Sequence, residues 1–118
     1  MNNNESSRVN QGIYNYKALC TRVIDGDTLI CDIDLGFYIA LKDQKVRLSR
    51  INSPEISTPE GIKSKEFLKS TIENKEITIK TKKAILSKEK YGRWLAEIFI
   101  DEENINDFLV ENKHSKYV

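Results

Sequence analysis

The chain has 118 residues, of which 39% are hydrophobic, and its 19 basic and 18 acidic residues leave a formal net charge of +1. This size and apolar content predict one domain with a single core. No apolar run reaches the roughly 18 residues of a membrane helix, so no membrane contact is expected. The Asn- and Ser-rich start lacks the apolar segment of a signal peptide. We expect a disordered leader at residues 1–13, one domain at 14–118, and a cytoplasmic location, or secretion if a signal has been removed.

Charge is distributed unevenly along the chain. Residues 63–93 hold ten Lys or Arg against four Asp or Glu, whereas residues 97–111 hold six acidic residues and no basic one. The middle of the chain is therefore predicted to be able to face a polyanion, and the acidic end is not. Solvated helix and strand faces are the alternative interpretation of the same lysines.

An Asp-Gly pair between two apolar stretches predicts the first hairpin. Residues 14–24 and 27–35 are its strands, and Asp25-Gly26 stands at the centre of a tight turn, which needs a positive φ at both central positions. This turn would place Ile24 opposite Asp27.

The same register would place Cys20 opposite Cys31. A disulfide between them would be strained, so two reduced, half-buried thiols are expected. Two cysteines on one hairpin and the distant His114 give no zinc-ligand spacing. No base stands beside a nucleophile either, so we expect His114 to be a solvated or half-packed side chain.

The third apolar stretch, residues 46–55, is predicted to be a strand that runs into a turn at a proline. A short strand or a wide hairpin arm is expected at 37–41, and residues 42–45 are expected to be a polar connection. The long stretch organises the rest of the chain, because it delivers polar groups to the point where the backbone turns.

Four of those polar groups suggest a binding site. Arg47 is a fork-shaped anion binder, and Asn52, Ser53 and Glu55 supply oxygen atoms at the turn. Such a set suits a hard cation and a phosphate. An edge strand with solvated arginines and an ordinary turn is the alternative.

The residues that follow predict a helix. Ser57 or Thr58 can cap its start, Pro59 suits its first turn, and Glu60 completes a Ser-x-x-Glu capping box with Ser57. Asn74 marks its end. Apolar residues at helical spacing are expected to face the core: Phe67, Leu68 and Ile72.

The second half of the chain predicts two more strands and a short helix. Residues 75–83 alternate between apolar and polar, residues 84–90 form a lysine-rich loop, and residues 94–100 are nearly all apolar. Asn106 can cap the last helix. This order predicts a mainly β fold with helices (α+β), in the form of a small curled barrel of the oligonucleotide-binding (OB) type.

Three separated fragments carry polar groups at turns or strand ends: residues 25–28, 47–55 and 91–93. Together they supply carboxylates, the guanidinium groups of Arg47 and Arg93, and neutral oxygens. Metal-assisted phosphodiester hydrolysis needs these groups, because a cation offsets phosphate charge, a carboxylate orients or deprotonates water, and guanidinium groups stabilise the transition state. Each fragment alone is also compatible with an ordinary turn.

In combination the fragments resemble the staphylococcal nuclease (thermonuclease) family and its SNase-like domain. The resemblance covers roughly residues 16–117. These motifs carry it, in the family's order: Val23–Thr28, Val46–Leu48 with Asn52–Glu55, Lys90–Arg93 with Leu95-Ala96, and Asn106 with Leu109-Val110. It implies a five-stranded OB-fold barrel with two or three packed helices, in agreement with the order of predicted elements.

The resemblance also implies a calcium site. Asp27 would bind the ion and Ser53 would offer its backbone carbonyl, with Asp25 beside the ion rather than bound to it. Asn52 stands where the best-known family members have a second aspartate ligand. An amide oxygen can still coordinate calcium, but one negative charge fewer predicts a lower affinity.

Further roles follow from the same resemblance. Glu55 would act on the attacking water as a general base, or orient it. Arg47 and Arg93 would grip the scissile phosphate and stabilise charge on its oxygens. Lys90 and Tyr91 would line the nucleotide pocket, where Tyr91 could hydrogen-bond a phosphate or stack on a base.

The expected function is a calcium-dependent nuclease, acting as a monomer, that hydrolyses phosphodiester bonds of DNA, RNA or both and prefers single strands. The resemblance implies that cleavage leaves 3′-phosphate ends. The alternative is a catalytically weak or inactive module of the same fold that binds single-stranded nucleic acid or a protein partner. Asn52 favours this alternative, whereas Asp27, Arg47, Glu55 and Arg93 oppose it.

Overall fold

A computed structural model describes residues 13–82 and 92–118. Within these ranges the elements are β1 (Ile13–Asp25), β2 (Thr28–Gly36), β3 (Ile39–Leu48), β4 (Ile51–Asn52), α1 (Pro59–Ile72), β5 (Glu76–Lys82), β6 (Trp94–Ile100), β7 (Glu103–Asn104), α2 (Ile105–Glu111) and β8 (Lys116–Tyr117). The leader was predicted at residues 1–13; its last residue, Ile13, begins β1, and residues 1–12 lie outside the described residues. The predicted loop at 84–90 and the candidate pocket residues Lys90 and Tyr91 also lie outside them.

Five strands close into a barrel. Their order is β3-β2-β1-β5-β6, with antiparallel neighbours, and a parallel pairing of β3 with β6 joins the two edges. Helix α1 packs against β1 and α2 against β6. The predicted fold class, mainly β with helices, is confirmed. None of the described helices is long and apolar enough to cross a membrane.

The core fills the barrel and extends under the helices. Successive side chains of a strand point to opposite faces, so alternate residues enter the interior. In β2 these buried residues are Leu29, Cys31 and Ile33. In α1, Leu68 and Ile72 are fully buried, whereas Phe67 is only partly buried and stacks on His114 with 4.2 Å between ring centroids. His114 is therefore half-packed, which is one of its two predicted states.

The first hairpin turns one residue later than predicted. Asp25 pairs with Thr28, so Gly26 and Asp27 form the centre of the turn, and the predicted pairing of Ile24 with Asp27 is wrong. Asp25 Oδ1 accepts a hydrogen bond from the Asp27 amide (3.0 Å). Such a bond from an Asp to the backbone two residues on stabilises a turn at this position.

Cys20 nevertheless lies opposite Cys31, as predicted, because two irregularities in the β1–β2 pairing restore that register. Both cysteines are free, and they are fully buried rather than half-buried. Burial raises the pKa of Cys20 to about 11 and that of Cys31 to about 12. Both thiols are therefore protonated at neutral pH and poor nucleophiles.

The third strand is longer than predicted. β3 runs without a break through residues 39–48, so the polar connection at 42–45 is wrong. Of the two alternatives for 37–41, the separate strand is wrong, and residues 39–41 are part of a hairpin arm that pairs with β2. Lys45, for example, pairs with Ile30 of β2. The side chains of residues 39–45 lie mostly at the surface. Polar side chains on the water-facing side of an antiparallel pair leave the backbone pairing intact.

The start of α1 decides between two predicted caps. Thr58 is the cap, since its Oγ1 accepts a hydrogen bond from the Gly61 amide (3.0 Å). The cap lies one residue after Ser57, so the predicted capping box of Ser57 with Glu60 is wrong. Asn74 follows the helix with a φ of 65° and leads the chain into β5, close to the predicted end.

Asn106 is not the cap of α2, because Asn104 takes that position. Asn106 is instead fully buried and donates hydrogen bonds to the backbone carbonyls of Ser49 (2.9 Å) and Ala96 (3.2 Å). The side chain thus ties α2 both to β6 and to the turn that connects β3 with β4. This turn precedes the residues of the candidate site.

Candidate functional site

The centre of the candidate site is Asp27, in the turn between β1 and β2. Its side chain is buried, with 8% of the residue exposed. Oδ2 accepts a hydrogen bond from the Ser53 amide (2.9 Å), and Oδ1 accepts one from Thr28 Oγ1 (3.2 Å). A guanidinium nitrogen of Arg47 lies 3.4 Å from Oδ2. Donors from three segments therefore stabilise one buried negative charge.

The neighbouring Asp25 gives the site a second carboxyl group, and the pKa of Asp25 is shifted in the opposite direction to that of Asp27. Burial raises the pKa of Asp25, and the interaction of its carboxyl group with the Asp27 side chain raises it further, whereas the hydrogen bond from the Asp27 amide opposes the shift. Burial also acts to raise the pKa of Asp27, but hydrogen bonds from Asp25 and Ser53 and the charge of Arg47 outweigh it and hold this pKa below the ordinary value. Asp27 is therefore the stronger acid of the pair, and Asp25 takes up a proton first as the pH falls.

Arg47 connects the Asp27 carboxylate to Asn52, at the start of the polar turn formed by residues 52–55. Its Nη1 donates hydrogen bonds to the carbonyls of Leu48 (2.5 Å) and Ile51 (2.9 Å). Its Nη2 donates to Asn52 Oδ1 and lies 3.4 Å from Asp27 Oδ2. The side chain is largely buried, with 16% exposed. These contacts fix the guanidinium plane between Asp27 and Asn52.

The oxygen atoms around Asp27 fit a hard cation in their chemistry. They are the carboxylate of Asp27, the amide oxygen of Asn52 and the backbone carbonyl of Ser53, and calcium prefers such oxygen ligands. Within residues 13–82 and 92–118, no three Asp, Glu, His or Cys side chains form a cluster. The carboxylate charge beside these atoms comes from Asp25 and Asp27, and Arg47 already contributes one positive charge there.

Glu55 lies three positions after Asn52, in the turn that leads into α1, and it is exposed. Its backbone carbonyl accepts hydrogen bonds from the amide (3.0 Å) and Oγ1 (2.7 Å) of Thr58. The backbone that carries Glu55 is thus fixed by the helix cap, while its carboxylate faces solvent. An exposed carboxylate on a fixed backbone suits a group that acts on water.

Two glycines allow these segments to meet, and sequence reasoning missed the role of both. A Cβ at position 26 would lie 2.7 Å from Ser53 Cβ and 2.8 Å from Ser64 Cβ. A Cβ at position 61 would lie 1.8 Å from the carbonyl oxygen of Glu55. The Asp-Gly motif predicted a positive φ at Gly26, which is wrong, and no local pattern distinguishes Gly61 from any other residue of a first helical turn. The need for glycine at positions 26 and 61 can be seen only in the folded structure, where the three segments pack together.

Arg93 lies next to the same end of the barrel. It is half-buried and comes directly before β6. In the parallel pairing of β3 with β6, Arg47 is the partner of Leu95 and Val46 is the partner of Trp94. The fold therefore places Arg93 at the start of β6, the strand that pairs with β3 beside Arg47.

The fold and this site together define a class of protein: a closed five-stranded barrel that presents an ionised carboxylate, a guanidinium group and neutral oxygens where β1, β3 and β4 end. Arg47 can bind an anion and Asp27 can bind a hard cation. This pairing is suited to the chemistry of phosphate esters.

Comparison with known proteins identifies the family. Residues 45–115 match the family described as "Staphylococcal nuclease homologue", and the chain belongs to this family of nucleases. It is 32% identical to the "Thermonuclease" of Staphylococcus hyicus over 102 residues, which cover 81% of this chain and 54% of that protein. It is 35% identical to an "Uncharacterized endonuclease" of Haemophilus influenzae over 85 residues, which cover 72% of this chain and 43% of that protein. The chain spans about half the length of these curated relatives.

Proposed function

We propose that this chain is a calcium-dependent nuclease that hydrolyses phosphodiester bonds of DNA, RNA or both and leaves 3′-phosphate ends. The observation that carries the proposal is the buried, ionised Asp27, which meets Arg47 and the Ser53 backbone at one end of the barrel. Membership of a nuclease family supports a nucleic-acid substrate.

In the proposed enzyme, the atoms that would hold calcium are the Asp27 carboxylate, the Asn52 amide oxygen and the Ser53 carbonyl. The bound ion would supply positive charge to the phosphate. Asp25 would stay beside these ligands and hold the Asp27 amide through its own carboxyl group. The Ser53 amide would keep Asp27 oriented, since it donates to Oδ2 in the structure.

The remaining residues would act on the substrate. Arg47 and Arg93 would donate hydrogen bonds to the phosphoryl oxygens and stabilise the charge that grows there. Glu55 would orient the attacking water and accept its proton while the bond from phosphorus to the 5′ oxygen breaks. Lys90 and Tyr91 are proposed to bind the neighbouring nucleotide.

Digestion of heat-denatured DNA tests the proposal. The chain should release acid-soluble nucleotide with calcium and none with a chelator, and the new 3′ ends should support primer extension only after phosphatase treatment. An Arg93→Met variant should lose about 10²- to 10³-fold in rate, as is usual on loss of one transition-state donor. Release that persists in chelator would contradict the calcium requirement.

One observation favours a second candidate function. The Arg47 guanidinium contacts both Asp27 and Asn52. It therefore already compensates the negative charge of Asp27 that a calcium ion would otherwise compensate. A protein of this kind would bind single-stranded nucleic acid, or a protein partner, without cleaving it. Stable binding of a labelled single strand without any release of nucleotide in calcium would support this function over the nuclease.

We also propose that single strands are the preferred form of substrate and that the chain acts as a monomer. Barrels of this type offer a curved strand surface to flexible strands, which supports the first part. Competition between denatured and duplex DNA of one sequence measures the preference. Light scattering during the same assay measures the mass of the active species.

A further inference from the structure

The strand β8 lies directly beside β4, which carries Asn52. Lys116 pairs with Asn52 and Tyr117 with Ile51 in this short antiparallel sheet. The amide of Val118 also donates a hydrogen bond to the Arg50 carbonyl (3.0 Å). Directly opposed residues of an antiparallel pair point to the same face, with about 5 Å between their Cβ atoms. The side chain of Lys116 therefore leaves β8 on the face of Asn52.

That face belongs to the candidate site. Asn52 Oδ1 accepts a hydrogen bond from Arg47, whose guanidinium lies 3.4 Å from Asp27. Lys116 is exposed, and its flexible four-carbon stem can carry the ammonium several ångströms past Cβ. An anion bound by Arg47 would thus lie on the face that Lys116 shares with Asn52.

The segment before β8 holds this position. Ser64 of α1 donates its hydroxyl hydrogen to the His114 carbonyl (2.6 Å), and the ring of His114 stacks on Phe67. The residues before and after Lys116 are held in place, since Ser115 is buried and the Val118 amide binds the Arg50 carbonyl. The position of Lys116 opposite Asn52 is therefore a property of the fold.

Two acidic residues near β8, Glu97 and Asp107, are engaged by Arg50. Arg50 binds Glu97 through two hydrogen bonds (2.5 and 2.8 Å) and Asp107 through one (3.0 Å). The Tyr117 hydroxyl also donates to Asp107 (2.9 Å). Within the ranges that the structure describes, Lys116 has no ion pair. Its charge is therefore available to a ligand, although the sequence predicted that the acidic end could not face a polyanion.

We propose that Lys116 is a substrate-positioning residue, whose ammonium binds the backbone phosphate next to the one held by Arg47. The inference rests on the proposed function and adds a second phosphate contact to it. A contact of this kind carries no base information, so it should strengthen binding equally for all sequences and weaken with salt.

The test compares Lys116→Gln with a control variant, Lys113→Gln, which removes the same charge from an exposed lysine outside the β4–β8 pair. Affinity for a cleavage-resistant phosphorothioate single strand is measured in calcium at several salt concentrations. Loss of one phosphate contact should reduce the slope of log affinity against log salt by about 0.7 for a single strand. Lys113→Gln should keep the parental slope, and Lys116→Arg should restore it.

Kinetics give a second readout. Lys116→Gln should raise KM severalfold at low salt and leave kcat unchanged, because the contact is the same in substrate and transition state. A Lys116→Ala variant with parental thermal stability repeats the test with a shorter side chain. Parental slope and KM in both variants would overturn the role of Lys116 while the nuclease proposal stands. Failure of the parent chain both to bind the phosphorothioate strand and to cleave unmodified single-stranded DNA would overturn both.

Discussion

At the scale of single residues, Asn52 sets the charge of the candidate site. It accepts a hydrogen bond from Arg47 and offers no negative charge of its own. Asn52→Asp should therefore lower the calcium concentration needed for half-maximal rate, because a carboxylate binds a hard cation more tightly than an amide does. Titration of the rate with calcium measures the effect, and Asn74→Asp, on the exposed turn after α1, serves as the control.

An Asn52→Asp variant that needs as much calcium as the parent would show that position 52 does not contact the ion. A lower calcium requirement in both aspartate variants would instead indicate a general effect of added charge.

Gly26 allows the hairpin turn to touch both the polar turn and α1. A Cβ at this position would lie 2.7 Å from Ser53 Cβ, so Gly26→Ala must displace Ser53 or the hairpin. We expect a loss of about 1–3 kcal/mol in the free energy of unfolding, together with a lower rate, because Ser53 orients Asp27. Urea unfolding and activity at a temperature where the variant is folded measure the two effects.

Gly36→Ala is the matched control, since Gly36 lies in the other hairpin turn with a positive φ and open space around it. This variant should lose stability through backbone strain and keep its rate. Equal rates for the two alanine variants would contradict the proposed contact of Gly26 with the site.

At the scale of elements, the hairpin of β2 and β3 has an unusual turn. Phe37 and Tyr38 form it with φ values of 56° and 62°, and their exposed fractions are 94% and 109%. Large side chains are strained at positive φ, where Asn and Gly are favoured. These two residues therefore cost stability without contributing to the core.

Replacing the pair by Phe37→Asn with Tyr38→Gly should raise the free energy of unfolding by about 1 kcal/mol or more, through relief of backbone strain. Denaturant unfolding measures the change. The double variant Phe37→Ala with Tyr38→Ala removes the same rings but keeps the strain, so its stability should stay close to that of the parent. Equal stabilisation in both double variants would assign the effect to ring exposure instead.

The elements differ in how well local sequence predicts them. β6 has its predicted bounds, because a nearly continuous apolar run of strand-forming residues is compatible with few other states. β3 was predicted as two pieces, because residues 42–45 are polar and only their pairing with β2 shows that they belong to the strand. The turn at Gly26 was misplaced for a related reason, since contacts with Ser53 and Ser64 fix it.

At the scale of the whole molecule, one ion network connects distant parts of the chain. Arg50, in the turn before β4, binds Glu97 of β6 and Asp107 of α2. The hydrogen bond from Arg50 lowers the pKa of Glu97, and bonds from Arg50 and Tyr117 lower that of Asp107 despite the opposing effect of burial. No local pattern predicts such a network, because its members come from three separated segments.

This network predicts how stability depends on pH. Carboxyl groups with a lowered pKa in the folded state stabilise it above their unfolded pKa values, near 4, and that stabilisation is lost as pH falls through the lower folded values. Arg50→Met should be less stable than the parent at neutral pH, by up to about 1 kcal/mol for each solvent-screened pair. It should also lose less stability on acidification.

Urea unfolding at neutral pH and at about pH 3 measures both effects, and Arg22→Met, at an exposed position, is the control. If Arg50→Met and the parent lost the same free energy on acidification, the low pKa values would not depend on Arg50.

The pairing of β4 with β8 makes the candidate site less stable than the barrel. β4 is only two residues long, and its partner in that sheet is the equally short β8. Local unfolding that separated these two strands would remove the backbone support of Asn52 and leave the pairings of the closed barrel in place. On heating, inactivation would therefore precede global unfolding.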